Sequence, residues 1–314
     1  MSGFIDVIAA GMQTTVQDLG RWGHQSIGVS VAGAMDPYAH RLANALVGNA
    51  RTAATLEVTM RGPALQFHDD RTVAVAGGQF DLFLNDLPVP GGVRLSAAAG
   101  SVLRFGGRRV GARAYVAIAG GVDVPVVLGS RATHVPTAMG GFQGRALARG
   151  DRIPLGSQLP DDSRVPTQVT SLVNSGSLAV VRVLAGPQDD RFAAGTLDLL
   201  TRAPYVVTAE SDRMGFRLEG TPLVHRGAAD IISDATPAGS IQVPASGQPV
   251  LLMADRQTTG GYAKLATVIS ADVGIAAQVA PGEQIQFRLC SRAEALTALV
   301  GREGPLLAIE PEAR

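Results

Sequence analysis

Cysteine is almost missing from this chain, and its single residue, Cys290, cannot form an internal disulfide. The fold must therefore hold by burial alone, and a reducing cytoplasm is the natural compartment. Beside Leu289, Cys290 reads as a small buried apolar residue rather than a reactive thiol. An excess of one charge is also missing: 27 basic residues balance 27 acidic ones and are interspersed with them, so no surface is expected to track phosphates and no nucleic acid is expected as a partner. No apolar run approaches the ~20 residues of a membrane span. Asp6 interrupts the first apolar stretch and no basic region precedes it, which argues against a signal peptide. No membrane association is expected; a soluble cytoplasmic protein is.

Several catalytic signatures are absent too. There is no Gly-rich loop ending in Gly-Lys-Ser/Thr, no dinucleotide fingerprint, no His-Glu-x-x-His, no nucleophile elbow and no biotin-attachment sequence around a lysine. No cofactor is expected to be bound by a recognisable motif, no metal is expected, and any biotin would come only through a partner.

What is present is glycine, 38 residues, with 18 prolines and a charged fraction of only 17%. Short strands joined by tight turns use residues this way, so a mainly β protein is expected. At 314 residues and 46% hydrophobic content the chain forms one large or two medium domains.

Along the chain, Phe4–Ile8 reads as a strand. Asp36-Pro37 opens a helix whose apolar face is Leu42, Ala43, Leu46 and Val47, closed by Gly48, with Asp36 as its cap. Short strands then follow over Thr55–Met60, Ala64–Phe67, Thr72–Ala76, Phe80–Leu84, Val102–Phe105 and Ala114–Ala119. Turns are expected at Gly62-Pro63, Gly77-Gly78, Asn85-Asp86, Pro90-Gly91-Gly92, Gly106-Gly107 and Gly120-Gly121, the pattern of a barrel or sandwich. Glu57 faces either a cavity or, as strand carboxylates more often do, solvent. A linker is expected over Leu159–Asn174. Beyond it, Leu178–Leu184 echoes the first strand, and Val279–Phe287 echoes Ala98–Phe105, weak signs of two related β halves. Ser291 and Glu294 form a capping box for a helix over Ala293–Val300, stopped by Gly301.

Two stretches carry the chemistry. Pro249–Ala254 reads as a strand buried on both faces, and it runs into Asp255, Arg256, Gln257, Thr258, Thr259, Gly260, Gly261, Tyr262, Ala263 and Lys264. That is either a solvated hairpin with a Gly-Gly turn or a ligand loop whose glycines admit close approach. Near the N-terminus, Gln13, Thr15, Gln17, Asp18 and Arg21 repeat the vocabulary. Uncharged donors with one Asp/Arg pair in each suit an amide-like or carboxylate group if the two stretches share a cleft. Alternatively Asp255–Arg256 and Asp18–Arg21 are buried pairs that lock loops.

The segments TTVQDLGR, GVS, GAMD, RLAN, LVGN, LEVT, SDRMGFRLEG, SIQVP and LLMADRQTTGGY, in this order and over nearly the whole chain, resemble the allophanate hydrolase subunit 2 family. This family is also called the KipA or biotin-dependent carboxyltransferase family, and it includes the C-type component of bacterial 5-oxoprolinase. The usual pattern is departed from at Trp22, His24, Ser26, Ala32, Phe216 and Ala263. The resemblance implies two cyclophilin-like β-barrel halves with a few short helices, taken as residues 1–165 and 166–314. It implies a subunit 1 or KipI-like partner and, in 5-oxoprolinase, a third, lactam-binding subunit, the assembly using ATP to open 5-oxoproline to glutamate. The other roles in the family are a urea carboxyltransferase and a regulator that antagonises a KipI-like kinase inhibitor. From the donors and acceptors that these residues offer an amide group, Asp255, Arg256, Gln257 and Lys264 are the expected catalytic residues. Gln13, Thr15, Gln17, Asp18, Arg21, Arg213, Gln242, Thr258, Thr259, Gly260, Gly261 and Tyr262 are the expected substrate-binding residues.

Overall fold

Alternation along the two longest strands, Arg71–Leu84 and Val102–Ile118, sets the first layer of structure. Val73 and Val75, with Val116 and Ile118, face one apolar core, while Ala74, Ala76, Tyr115 and Ala117 face a helix on the other side. Strand geometry sends successive side chains to opposite faces, and alanines on the second face let the helix approach closely. The computed structural model describes residues 3–158, 166–169 and 178–311. The linker expected over Leu159–Asn174 and the boundary expected at residue 165 lie outside these, apart from residues 166–169. Contacts divide the chain into two units: Met1–Arg21 with Ala32–Ser175 and Gly304–Arg314, and Trp22–Val31 with Gly176–Glu303.

The first unit holds β1 (Phe4–Ala9), β2 (Gln13–Gln17), α1 (Pro37–Leu46), β3 (Thr55–Thr59) and β4 (Ala64–Phe67). It continues with β5 (Arg71–Leu84), β6 (Leu87–Val89), β7 (Arg94–Ala97), β8 (Val102–Ile118) and β9 (Arg152–Pro154). These strands make one nine-stranded sheet in the order β2-β3-β8-β4-β1-β9, with β5 on β8 and β6 and β7 on β5. Helix α1 begins as expected: the Asp36 side chain accepts from Ala39 N at 3.1 Å. Leu42 and Leu46 then pack on the alanine face of the sheet. Asn85 and Asp86, both at positive φ, make the tight hairpin between β5 and β6.

The second unit holds β10 (Leu178–Ala185), α2 (Thr196–Arg202), β11 (Tyr205–Val207), β12 (Gly215–Glu219), β13 (Asp230–Ala235) and β14 (Ser240–Gln242). It continues with β15 (Val250–Leu252), β16 (Thr259–Tyr262), β17 (Lys264–Val268), α3 (Ser270–Ala277) and β18 (Gln284–Leu289); the last helix of the chain is α4 (Arg292–Leu307), whose residues from Gly304 onward belong to the first unit. A closed barrel runs β10-β17-β14-β15-β12-β11-β18 and returns to β10 through the parallel β10–β18 pair. Closure leaves that sheet no unpaired edge. Val181, Val183, Phe216, Leu251, Leu265 and Phe287 are buried within this unit. β13 and β16 form a separate two-stranded ribbon. The mainly β architecture, with a closed barrel in one half and a broad curved sheet in the other, agrees with the expected fold class.

Some local expectations are corrected. The glycines at Gly77-Gly78 do not turn the chain: β5 passes through them, with register shifts between Gly77 and Gln79. β8 likewise runs straight through Gly106-Gly107. Both are glycine irregularities inside paired strands, where the long partner supplies hydrogen bonds that a turn would forfeit. The capping box forms, with Ser291 N donating to Glu294 Oε2 at 2.7 Å and Glu294 N to Ser291 Oγ at 3.2 Å. The helix it starts nevertheless continues past Gly301 to Leu307, where buried Leu306 anchors its end. Cys290 is half-buried, and burial pushes its thiol up. Among the described residues no helix is long and apolar enough to cross a membrane.

Candidate functional site

The expected site residues fall into the two units, each of which builds its own polar cluster. In the first, β2 pairs with β3 so that Thr15 lies opposite Glu57 and Gln17 opposite Thr55, with Gln13 at the end of the ladder opposite Thr59. Gln17 is fully buried; its Nε2 donates to Thr15 Oγ1 at 3.0 Å and to Thr133 O at 3.1 Å, while its Oε1 meets no donor among the described residues. The Asp18 carboxylate accepts from Gly20 N at 2.8 Å, Ser130 Oγ at 2.7 Å and Arg131 N at 2.5 Å. Arg21, also buried, donates to Ala132 O. The segment Ser130–Thr133 is thus the wall against which the whole stretch is held.

Glu57 is buried rather than exposed. Its Oε2 accepts from Met35 N and from the Tyr115 hydroxyl, each at 2.8 Å, and the Tyr115 oxygen in turn accepts from Asp36 N at 2.7 Å. Burial, then the neighbouring Glu57 and Asp36 charges, push the Tyr115 phenol well above its ordinary range, so it stays a donor. This network ties the start of α1 to β3 and β8.

In the second unit, the end of β15 carries the cluster. Asp255 N donates to Arg213 O at 2.8 Å, and the Arg213 guanidinium grips the Asp255 carboxylate with two hydrogen bonds of 3.0 Å, Nε to Oδ2 and Nη2 to Oδ1. Both side chains are buried. The fork therefore comes from Arg213, not from the neighbouring Arg256. Arg256 instead donates to two backbone carbonyls, Thr236 O at 2.7 Å and Met253 O at 3.1 Å. Burial pulls its pKa down while the Asp255 charge opposes this.

Thr258 O accepts from Thr236 N at 3.1 Å, and the Thr236 hydroxyl donates to Gln257 O. Gln257 Nε2 donates to Gln242 Oε1 at 3.3 Å, and Gln242 Nε2 to Tyr262 O at 3.3 Å. Thr259, Gly260, Gly261 and Tyr262 are strand β16, not a turn; Gly260 pairs with Asp234 and Thr259 with Ala235. A Cβ on Gly260 would lie 2.6 Å from Gln242 Nε2 and 3.1 Å from Gln257 Nε2, so the two carboxamides occupy the space a side chain would need. Lys264, buried, donates from Nζ to Asp234 Oδ2 at 2.7 Å, and Gln188 Nε2 reaches the same oxygen at 3.1 Å. The Lys264 hydrogen bond is the main reason the Asp234 carboxyl sits below its ordinary range.

Thr133, Ser130, Tyr115, Gln188, Asp234 and Thr236 carry no mark in the sequence. Each lies in a strand or a short polar run that looks unremarkable by itself, and the signal that could have found them is the pairing of strands far apart in sequence. Among the described residues no group of carboxylates, imidazoles and thiols could hold a metal ion. The arrangement offers hydroxyls, carboxamides and compensated charges.

A two-unit β protein with charge-compensated loops at its strand ends is thus the class defined by fold and clusters. The sequence matches the family described as carboxyltransferase domain, subdomain A and B, over residues 27–289, and the chain belongs to that family. It is 40% identical over 294 residues to the C subunit of the 5-oxoprolinase of Escherichia coli, covering 94% of each chain. It is 36% identical over 291 residues to the same-named protein of Haemophilus influenzae, covering 93% of each. Among solved structures it is similar to the Kluyveromyces lactis urea carboxylase, with a TM-score of 0.88 and 31% identity over 99% of this chain but only 29% of that one.

Proposed function

We infer that this chain is the C-type component of an ATP-dependent 5-oxoprolinase, acting with a subunit 1 (KipI-like) partner and a lactam-binding third subunit to convert 5-oxoproline to glutamate. The observation that carries this reading is the end-to-end match, 40% identical over 94% of both chains, to a protein bearing the name of a 5-oxoprolinase subunit. Opening a lactam adds water across the ring C–N bond: the carbonyl carbon gains oxygen and the ring nitrogen leaves as an amine, taking a proton. ATP, used by the assembly, supplies the driving force. The residues of this chain bind and orient. Gln257, Thr258 and Thr259 present an amide and hydroxyls for an amide group, and Arg256 places a positive charge beside them. Asp255 and Arg213 hold the loop, and Lys264 holds the ribbon through Asp234. On the first unit, Gln13, Thr15, Gln17, Asp18 and Arg21 form a second polar cluster, largely buried.

The test is reconstitution. Purified partners with ATP and 5-oxoproline are expected to release glutamate only when this chain is present, and unchanged glutamate release on its omission rejects the reading. A second reading, carboxyl transfer to urea from a partner's carboxybiotin, is favoured by the likeness to the urea carboxylase fold over 99% of this chain. It predicts urea-dependent loss of carboxylate from a carboxylated biotin carrier, and no glutamate.

A further inference from the structure

The three-group relay Tyr262 O, Gln242, Gln257 has a direction that hydrogen-bond chemistry alone determines. A peptide carbonyl can only accept, so Gln242 must turn its Nε2 toward Tyr262 O, as the 3.3 Å contact has it. Its Oε1 then faces Gln257, and only the Nε2 of Gln257 can answer it, again at 3.3 Å. The second carboxamide thereby inherits its orientation from the first. Gln242 is buried, so a reversed amide would set two oxygens against each other without water to relieve them. The base of the relay is rigid for two further reasons. Gln257 O is held by the Thr236 hydroxyl, and the missing side chain at Gly260 leaves room for both amide nitrogens, 2.6 and 3.1 Å from where a Cβ would stand. At the outer end Gln257 is half-buried, and its Oε1 has no donor among the described residues.

We propose that this relay fixes Gln257 with its Oε1 outward as the acceptor for the N–H of a cyclic amide, making Gln257 a specificity-determining residue and Gln242 the residue that positions it. The inference rests on the lactam reading above and deepens it: the group recognised is the ring N–H, not the carbonyl alone. A site that accepts an N–H rejects a substrate lacking one, because its own oxygen is left unpaired. An undirected glutamine would flip and offer its NH2 instead.

The experiment compares 5-oxoproline with N-methyl-5-oxoproline in the complete assembly with ATP. The unaltered protein is expected to prefer 5-oxoproline in kcat/KM. Q257M should lower kcat/KM for 5-oxoproline about tenfold, the order expected for one lost hydrogen bond, and collapse the preference. Q242M should raise KM for 5-oxoproline with kcat little changed, and shrink the preference while leaving Gln257 in place. Q257A removes the acceptor without setting a carboxylate oxygen against Gln242 Oε1, should collapse the preference likewise, and carries the test if Q257M does not fold. A preference that survives Q257M, or Q257A in its place, within twofold overturns the inference, since the discrimination would then be steric. If the unaltered assembly turns over no lactam, the proposed function fails by itself. The same ratio is then read from equilibrium binding of the two probes to the complex, where no binding of 5-oxoproline overturns the inference as well.

Discussion

Asp18 and Asp255 sit in stretches that look alike on paper, yet the two units compensate their buried carboxylates by opposite means. Asp255 is met by a full positive charge, the Arg213 fork at 3.0 Å, from a residue brought beside it by the β12–β15 pairing. Asp18 takes its donors from two backbone amides and the Ser130 hydroxyl. Oriented N–H groups stabilise an anion without burying a second ion, whereas an ion pair is secure only while both partners remain. The Asp255 carboxylate is thus staked on one ion pair, and the Asp18 carboxylate spreads its anchoring over several donors.

That difference predicts unequal fragility. Asp255→Ala takes the counter-charge from the buried Arg213 guanidinium and is expected to cost about 3–5 kcal/mol in denaturant unfolding. Replacing both partners by apolar residues of similar size, Arg213→Met with Asp255→Leu, should recover much of that loss, because the two buried charges leave together. Asp18→Asn keeps one acceptor oxygen but turns an NH2 toward donors, and a loss of about 2 kcal/mol is expected. Equal losses at Asp18 and Asp255, or a double variant no better than Asp255→Ala, would break the comparison.

The contrast also marks where the sequence could be read. Local signals were legible: the Asp36 cap, the Asn85-Asp86 hairpin and the Ser291/Glu294 box depend on residues three or four positions apart, and all three form. Glycine pairs misled where long-range pairing overrode turn chemistry, as in β5 and β8. The alternating apolar pattern revealed a mainly β fold because period two survives any strand order. Which residues meet across strands did not show: Arg213 lies 42 positions before Asp255, whereas Arg256 is its neighbour in sequence but not in the fork. The composition of the candidate site was visible, and its wiring was not, because wiring follows register and register follows the whole sheet.

The first unit also carries a buried imidazole. His40 lies on α1 with Nδ1 2.9 Å from Thr55 Oγ1 and Nε2 3.1 Å from Arg51 O, an arrangement that suits the neutral ring donating from Nε2 to the carbonyl and accepting from the hydroxyl. Burial lowers its pKa to about 4, from the ordinary 6.5. The unfolded chain therefore takes up this proton before the folded one does. His40 contributes its stability above pH ~6.5 and loses it as the pH falls toward ~4. By pH 5 the loss should total about 2 kcal/mol relative to neutral and higher pH, and His40→Gln should flatten that slope. A slope unchanged in His40→Gln would mean that the acid sensitivity lies outside this anchor, and would remove it as a difference between the units.

The smallest effect is expected where the two units agree. Ala98–Ser101 and Ala280–Glu283 are the same turn: Ser101 N donates to Ala98 O at 2.9 Å and Glu283 N to Ala280 O at 3.0 Å, with Gly100 and Gly282 each at φ 85°. Each glycine N–H then reaches across to another strand of its own unit, Gly100 to Phe67 O at 2.7 Å and Gly282 to Val207 O at 2.8 Å. An added Cβ meets nothing within 4 Å at either position, so the only penalty for alanine is the left-handed backbone. Gly100→Ala and Gly282→Ala should each cost about 1 kcal/mol, equal within ~0.5 kcal/mol, by chemical denaturation. Equality here, beside inequality at Asp18 and Asp255, would mean that the units share a backbone plan and differ in how they hold their polar loops. A clear difference between the two glycines would instead show that surroundings govern even the repeated turn, and the echo between Ala98–Phe105 and Val279–Phe287 would lose its energetic meaning.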